Sequence, residues 1–222
     1  MALITNLVAY YNLDSSWTDS LATYNATNTG STITTGGIIN SCANLSGSGQ
    51  YFRSPAPIGT DGAISVWFKF TSFSDSMVLG LTDVGVSDYL RIRPFTNTDI
   101  QFTVKDDNVN AVVPALGTAW HQAIITWSSS VAWNAYLDGN LVGTGTGVKN
   151  PTIGFTIPFG VLSDGAGIWS SPFYFNGQLD EIGIWTRFLN ATDVSELWNG
   201  GAGKTYPFVS AIPPRLMMMG VG

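Results

Sequence analysis

Charge is scarce in this sequence. Lys, Arg, Asp and Glu together make up 11% of its residues, while hydrophobic residues make up 45% and aromatics 13%. Ser, Thr, Asn, Gln and Gly must therefore cover most of the surface, a composition that suits sheets and turns better than helices. The nine Lys and Arg are scattered singly and the net charge is −6, so no basic stripe can neutralise a run of phosphates. Nucleic acid is not an expected partner. The single cysteine, Cys42, cannot close an intramolecular disulfide. Set among Ser41, Ala43 and Asn44, it reads as a buried structural thiol and leaves the redox compartment open.

Two further scarcities concern export and size. The first residues lack the positive region and apolar run of a secretory signal, and no run is long enough to span a membrane. If the chain begins at Met1, the expectation is a route out of the cell such as virion assembly followed by lysis. At 222 residues the chain suits one sandwich better than two domains.

Period-two alternation is abundant. Residues 7–13 read as an opening strand, and residues 64–70 put Ile64, Val66, Phe68 and Phe70 on one face with Ser65, Trp67 and Lys69 on the other. Residues 89–93 and 100–105 alternate so that Leu90, Ile92, Ile100, Phe102 and Val104 face a core. The turn chemistry of residues 94–99 joins these two runs into a hairpin. A second pair, 120–127 and 132–137, ends in the Asp138-Gly139 turn, where glycine supplies positive φ without a Cβ clash. A late strand over 177–185 alternates, with an irregularity at Asp180-Glu181. One short helix is expected over 191–198, capped by Asn190 and ended by Gly200-Gly201. The fold class that follows is all-β, an antiparallel two-sheet sandwich with one short C-terminal helix.

The order of these elements resembles the laminin-G-like, concanavalin A-like jelly-roll superfamily from about residue 7 to residue 201. Four segments carry the resemblance. They are the opening strand with Tyr10 and Tyr11, the strand Ile64-Ser65-Val66-Trp67-Phe68-Lys69, the Trp120-His121 strand with its Asp138-Gly139 hairpin, and the closing Gly177-Gln178-Leu179-Asp180-Glu181-Ile182 strand with the helix after it. The resemblance implies a jelly roll over residues 1–206. Its members include lectins, adhesion modules, virion proteins and glycanases, so the site must decide the function.

Catalysis finds few residues to use. Glycoside hydrolysis needs two flanking carboxyl groups, but Glu181 and Glu196 are the only glutamates and no Glu-x-Asp-x-x-Glu strand occurs. His121, the sole histidine, lies in an apolar strand with no nucleophile elbow and reads as bonded to a neighbour. Neither a zinc cluster nor a phosphate-cradling glycine loop is present. No enzyme activity is expected.

Binding chemistry is better supplied. The thirteen aspartates suit calcium, and the resemblance points to Asp14 and Asp180 at the sandwich rim, with turn capping or an ion pair between Asp180-Glu181 and a cation such as Arg187 as the competing reading. Tyr89, Arg91 and Arg93 project to the same side as Gln101, Thr103 and Lys105, which makes either a glycan-binding face or an ordinary solvated one. Trp169, in an aromatic loop, is a further ligand candidate. Residues 207–222 form an apolar tail in which Pro214, Arg215, Leu216, Met217, Met218 and Met219 are read either as a segment that docks on a neighbouring subunit or larger assembly or as a frayed terminus. The expected function is a structural or adhesion protein on a virion or extracellular surface, with glycan and assembly subunits as partners. The competing function is a free calcium-assisted lectin, and a glycoside hydrolase is the remainder.

Overall fold

Alternating side chains along residues 64–70, 89–93 and 100–104 need two layers to bury them. The computed structural model, which describes residues 2–82, 88–113, 116–148, 151, 156–163 and 173–208, has two. In chain order its strands are β1 (Leu7–Tyr11), β2 (Thr27–Thr29), β3 (Thr32–Thr35), β4 (Ser41–Ser46), β5 (Tyr51–Ser54), β6 (Gly62–Phe70), β7 (Leu79–Thr82) and β8 (Asp88–Thr96). They continue with β9 (Asp99–Val104), β10 (Asp107–Val112), β11 (His121–Trp127), β12 (Ala132–Leu137), β13 (Asn140–Val148), β14 (Ile157–Phe159), β15 (Leu162–Ser163) and β16 (Asn176–Trp185). Helix α1 (Ala191–Trp198) and a 3-10 turn at Asn199–Gly201 follow.

The first sheet has the order β13-β12-β11-β6-β16-β4-β3, with β1 also on β16. The second has the order β10-β9-β8-β7-β14-β5-β2. All pairings between these strands are antiparallel except that of the two-residue β15, which runs parallel to β7. The main core lies between the sheets. Ile64, Val66, Phe68 and Phe70 of β6 and Leu90, Ile92, Ile100, Phe102 and Val104 of β8 and β9 are all buried there, as their alternation predicts. Phe52 and Phe159 stack at 5.3 Å within the same core.

A second core covers the outside of the first sheet. Val194 and Leu197 of α1 pack there with Leu3, Tyr10, Ile124, Trp185 and Phe208, and Trp198 stacks on Trp67 at 5.1 Å with rings 9° apart. The strand β6, whose sequence alternates, is therefore buried on both faces. Asn190 caps α1 in a reciprocal box with Asp193. The helix ends on Asn199 in the left-handed conformation, φ 50°, one residue ahead of the glycine pair expected to end it.

Other boundaries also shift. Residues 14–35, a polar segment dense in Ser, Thr and Asn, contain β2 and β3, and β8 continues through Pro94 and Phe95, leaving Asn97 and Thr98 as the turn. Phe208 is buried with its ring edge-on to Tyr10 at 5.2 Å, so the folded body extends past residue 206. Residues 209–222, with the docking candidates Pro214, Arg215, Leu216, Met217, Met218 and Met219, lie outside the described residues. Among the described residues no helix is long and apolar enough to cross a membrane.

One pair of sheet edges is drawn together. Asp107 of β10 accepts from the Trp133 indole at 2.8 Å and from the Thr146 amide of β13 at 2.5 Å. Gly145 permits this approach, because a Cβ there would lie 1.7 Å from the Trp133 Nε1.

Candidate ligand-binding site

The outer face of the second sheet is where the sequence places a ligand. Antiparallel pairing sets Arg91 opposite Thr103 and Arg93 opposite Gln101, then Thr103 opposite Asn108 and Gln101 opposite Asn110. These residues form a polar ladder across β8, β9 and β10. Arg91 donates from Nη2 to Gln101 Oε1 at 2.5 Å and from Nε to Thr103 Oγ1 at 3.3 Å. Gln101 passes the chain on to Asn110 at 2.9 Å, and Thr103 to Asn108 at 2.7 Å. Gln101 and Thr103 are buried and Asn108 and Asn110 exposed, so the ladder is an interlocked network with its β10 side open to solvent.

Arg93 has a different task. Its guanidinium forks onto Asp75 at 2.7 and 2.5 Å and sits over the rings of Phe95 at 4.1 Å and Phe173 at 4.8 Å. A cation held in this way stiffens the aromatic rings on either side. Beside it, Phe95, Asp99, Gln101 and Asn110 line a hollow of about 320 Å³, within the range that holds small ligands. The hollow combines an aromatic ring, a carboxylate and two amides whose far ends are already fixed by the ladder.

Lys105 does not join the ladder. The strand β9 ends at Val104, and Lys105 with Asp106 forms the exposed two-residue turn into β10 at φ 45° and 65°. Both positive φ values fit a primed hairpin turn, which sends the Lys105 side chain off the strand's alternation. The side chain of Tyr89 and the whole of Trp169 lie outside the described residues. Phe95, Asp99 and Asn110 escape the sequence reading because the first two look like turn residues and β10 is too polar to read as a strand.

The acidic corner is at the bulge of β16. Asp180 accepts from the Glu181 amide at 2.9 Å and the Ile39 amide at 3.3 Å, and Glu181 adopts φ 45°. Tyr10 donates its hydroxyl to Glu181 Oε2 at 2.5 Å, while Glu181 Oε1 is buried with no hydrogen-bond partner. Burial pushes Asp180 up to about 9, with the Glu181 charge adding to it. Burial also pushes Glu181 up to about 7, against the bond from Tyr10. Arg187, the expected counter-ion, is elsewhere. It forks onto Asp193 at 2.7 and 2.9 Å and ties α1 to Thr5, because the capping box has already turned Asp193 toward the strand end.

Asp14 belongs to the same corner but holds a loop, accepting from the Ser41 amide at 3.0 Å and the Asn40 side chain at 3.2 Å. Among the described residues no three His, Cys, Asp or Glu side chains converge as a metal cluster. The orphaned Glu181 oxygen, beside a second buried carboxyl, still fits one bound cation that would complete its shell from main-chain or water oxygens.

Glu181 is buried, and Glu196 pairs with Lys204 on the surface of α1. His121 bonds Asp138 at 2.8 Å. Cys42 is buried and free, its thiol pushed up by burial to about 12.

Comparisons with known proteins agree with this architecture. A family model described as concanavalin A-like lectin/glucanases superfamily matches residues 46–195. No curated protein matches in sequence. Domain 4 of AbnA, a GH43 extracellular arabinanase from Geobacillus stearothermophilus, in complex with arabinotriose, superposes with a TM-score of 0.66. It is 21% identical, over 86% of this chain and 97% of that one. The binding domain of Paraclostridial Mosquitocidal Protein 1 gives 0.70 at 15% identity, over 90% of this chain and 53% of that one. The binding domain of botulinum neurotoxin DC in complex with rat synaptotagmin II gives 0.66 at 17%, over 90% and 52%. The chain thus spans about half the length of the toxin domains.

Proposed function

Because the chain belongs to the concanavalin A-like lectin/glucanase superfamily, we propose that it is a non-enzymatic carbohydrate-binding domain whose ligand occupies the outer face of the second sheet. The observation that carries this reading is the hollow beside Arg93. Phe95 offers a ring for stacking against a sugar, and Asp99, Gln101 and Asn110 offer fixed hydrogen-bonding groups around it. The arabinotriose held by the arabinanase domain supports a saccharide ligand, and the synaptotagmin complex shows a structural neighbour engaging a protein.

Calcium at the Asp180-Glu181 corner is part of the proposal, because a divalent cation would neutralise two buried carboxyl groups that form no ion pair among the described residues. Display on a virion or other extracellular surface is a further part, with residues 209–222 as the attachment to neighbouring subunits. Its support is the low-charge polar surface and the apolar run at Leu216, Met217, Met218 and Met219.

The test is a glycan array read in calcium and in chelator. Wild-type protein is expected to bind a defined set of saccharides, with Phe95→Ala weakening that binding about tenfold or more. Folded protein that stays silent under both conditions would overturn the saccharide reading and leave the structural role alone.

A further inference from the structure

A second hollow, of about 380 Å³, opens where β10 and β13 part. The margins of the two sheets touch at Asp107 with Thr146, and a Cβ on Gly143 would meet Val109 at 2.2 Å. Farther along both strands this contact gives way to the hollow, walled by Val112, Val113, Leu116, Leu137 and Val142. The wall around Leu116 is fixed, since the amides of Val113 and Leu116 donate to the Thr98 and Asn97 carbonyls. The mouth is apolar as well, with Val112 82% exposed and Leu141, between the lining residues Asn140 and Val142, 55% exposed. Apolar side chains grouped in this way on a polar surface mark a contact site.

Asp138 belongs to the lining of the same hollow. Its side chain is 28% exposed, and its oxygens accept from the Gln122 amide at 2.9 Å and from His121 Nδ1 at 2.8 Å. Each oxygen can accept a second bond, so the carboxylate has capacity for a cation arriving from solvent. The hollow therefore offers an apolar wall with an acid beside it. The segment Arg215-Leu216-Met217-Met218-Met219 carries the complement, four apolar side chains next to Arg215, the only charged residue after Lys204. Methionine adapts to an irregular wall, and arginine forks onto a carboxylate.

The reach of this segment bears on which copy it enters. Phe208 is held against Tyr10 and Trp185. From Tyr10 the register runs through Gly183, Ser65 and Ile124 to Tyr136, the neighbour of Leu137 in the hollow, a path of about 19 Å at the usual strand spacing. Helix α1, about 10 Å across, covers that path, with Val194 and Leu197 packed with Ile124 and Tyr136 and with Trp198 against Gly139. Residues 209–215 extend at most about 25 Å, so Asp138 of the same chain is reached only by a taut segment. A neighbouring copy can be approached without that constraint.

We propose that residues 215–219 of one copy dock in this hollow of the next, with Arg215 on Asp138 and Leu216 to Met219 against the Val112, Leu116 and Val142 wall. The contact joins two different surfaces, so it links copies head to tail. The inference rests on the reading of residues 209–222 as an attachment and names the surface that receives them.

Sedimentation velocity on the full chain tests it. Wild-type mass is expected to rise steadily with concentration. Val112→Glu, a change at an exposed position that leaves the core alone, is expected to weaken association about tenfold or more, and Met217→Glu with Met218→Glu does the same from the other side. Mixed together, these two full-length variants are expected to form complexes in equal proportion, because one keeps an intact segment and the other an intact hollow. Arg215→Glu weakens association several-fold, by an amount that shrinks in added salt. A wild type that stays monomeric, or a mixture of the two variants that stays monomeric, overturns the proposal. Association lost in the methionine variant but kept in Val112→Glu overturns this hollow while sparing the attachment reading, and association kept in both removes both.

Discussion

Asp180 and Glu181 sit side by side in a bulge, and among the described residues neither forms an ion pair with a cationic side chain. Their folded carboxyl groups titrate near 9 and 7, above the ordinary 3.8 and 4.5. In chelator the folded chain therefore keeps protons that the unfolded chain has already released. The associated stability is fully present below about pH 4 and is lost as pH rises through about 7 for Glu181 and about 9 for Asp180. Thermal melts in chelator are expected to show Tm falling between about pH 5 and pH 8. Glu181→Gln, which keeps an acceptor for Tyr10, flattens the lower part of that fall, and added calcium restores Tm in the wild type only. A Tm that rises over this interval would contradict the raised carboxyl groups. The irregularity at this pair is legible in the sequence, because two acids interrupt an alternating strand. The partner of Arg187 is not legible, since the capping box that claims Asp193 exists only once the helix has formed.

Strands with large alternating side chains, such as β6, β8, β9, β11 and β16, announce themselves because one face must be apolar. The strands β2, β3 and β10 do not. Their Thr, Asn and Asp side chains lie at sheet edges, where backbone pairing and not side-chain burial selects the extended state. The strand β14 is three residues long and contains Pro158, which reads against a strand. The turn between β9 and β10 is also hidden, because Lys105 and Asp106 take left-handed conformations that sequences usually mark with Asn or Gly. Replacing both, Lys105→Asn with Asp106→Gly, is expected to raise stability by about 1 kcal/mol, read from urea denaturation. An unchanged or lower midpoint would mean that the turn geometry is otherwise.

One core takes in residues from near both limits of the described chain. Leu3 and Phe208 meet over the outside of the first sheet, so the last described residue belongs to a core and not to a tail. Phe208→Ala is expected to cost about 3 kcal/mol by opening that core. Removal of residues 209–222 is expected to leave denaturation unchanged while abolishing attachment to a larger assembly. A deletion that unfolds the body would show that the segment packs on it. The low charge makes a sheet-rich fold legible from composition, and the alternating runs make it a sandwich. Which outward positions bind is not legible, because Arg91, Gln101 and Thr103 look like free donors in sequence and are bonded to one another in space.

The seam made by Asp107, Trp133 and Thr146 has a dynamic consequence. With one pair of sheet margins clasped there, and with β2 and β3 following each other directly across the opposite margin, the two layers cannot part like the leaves of a book. Deuterium should enter from the loop-bearing poles inward, reaching the amides of β6 and β11 last.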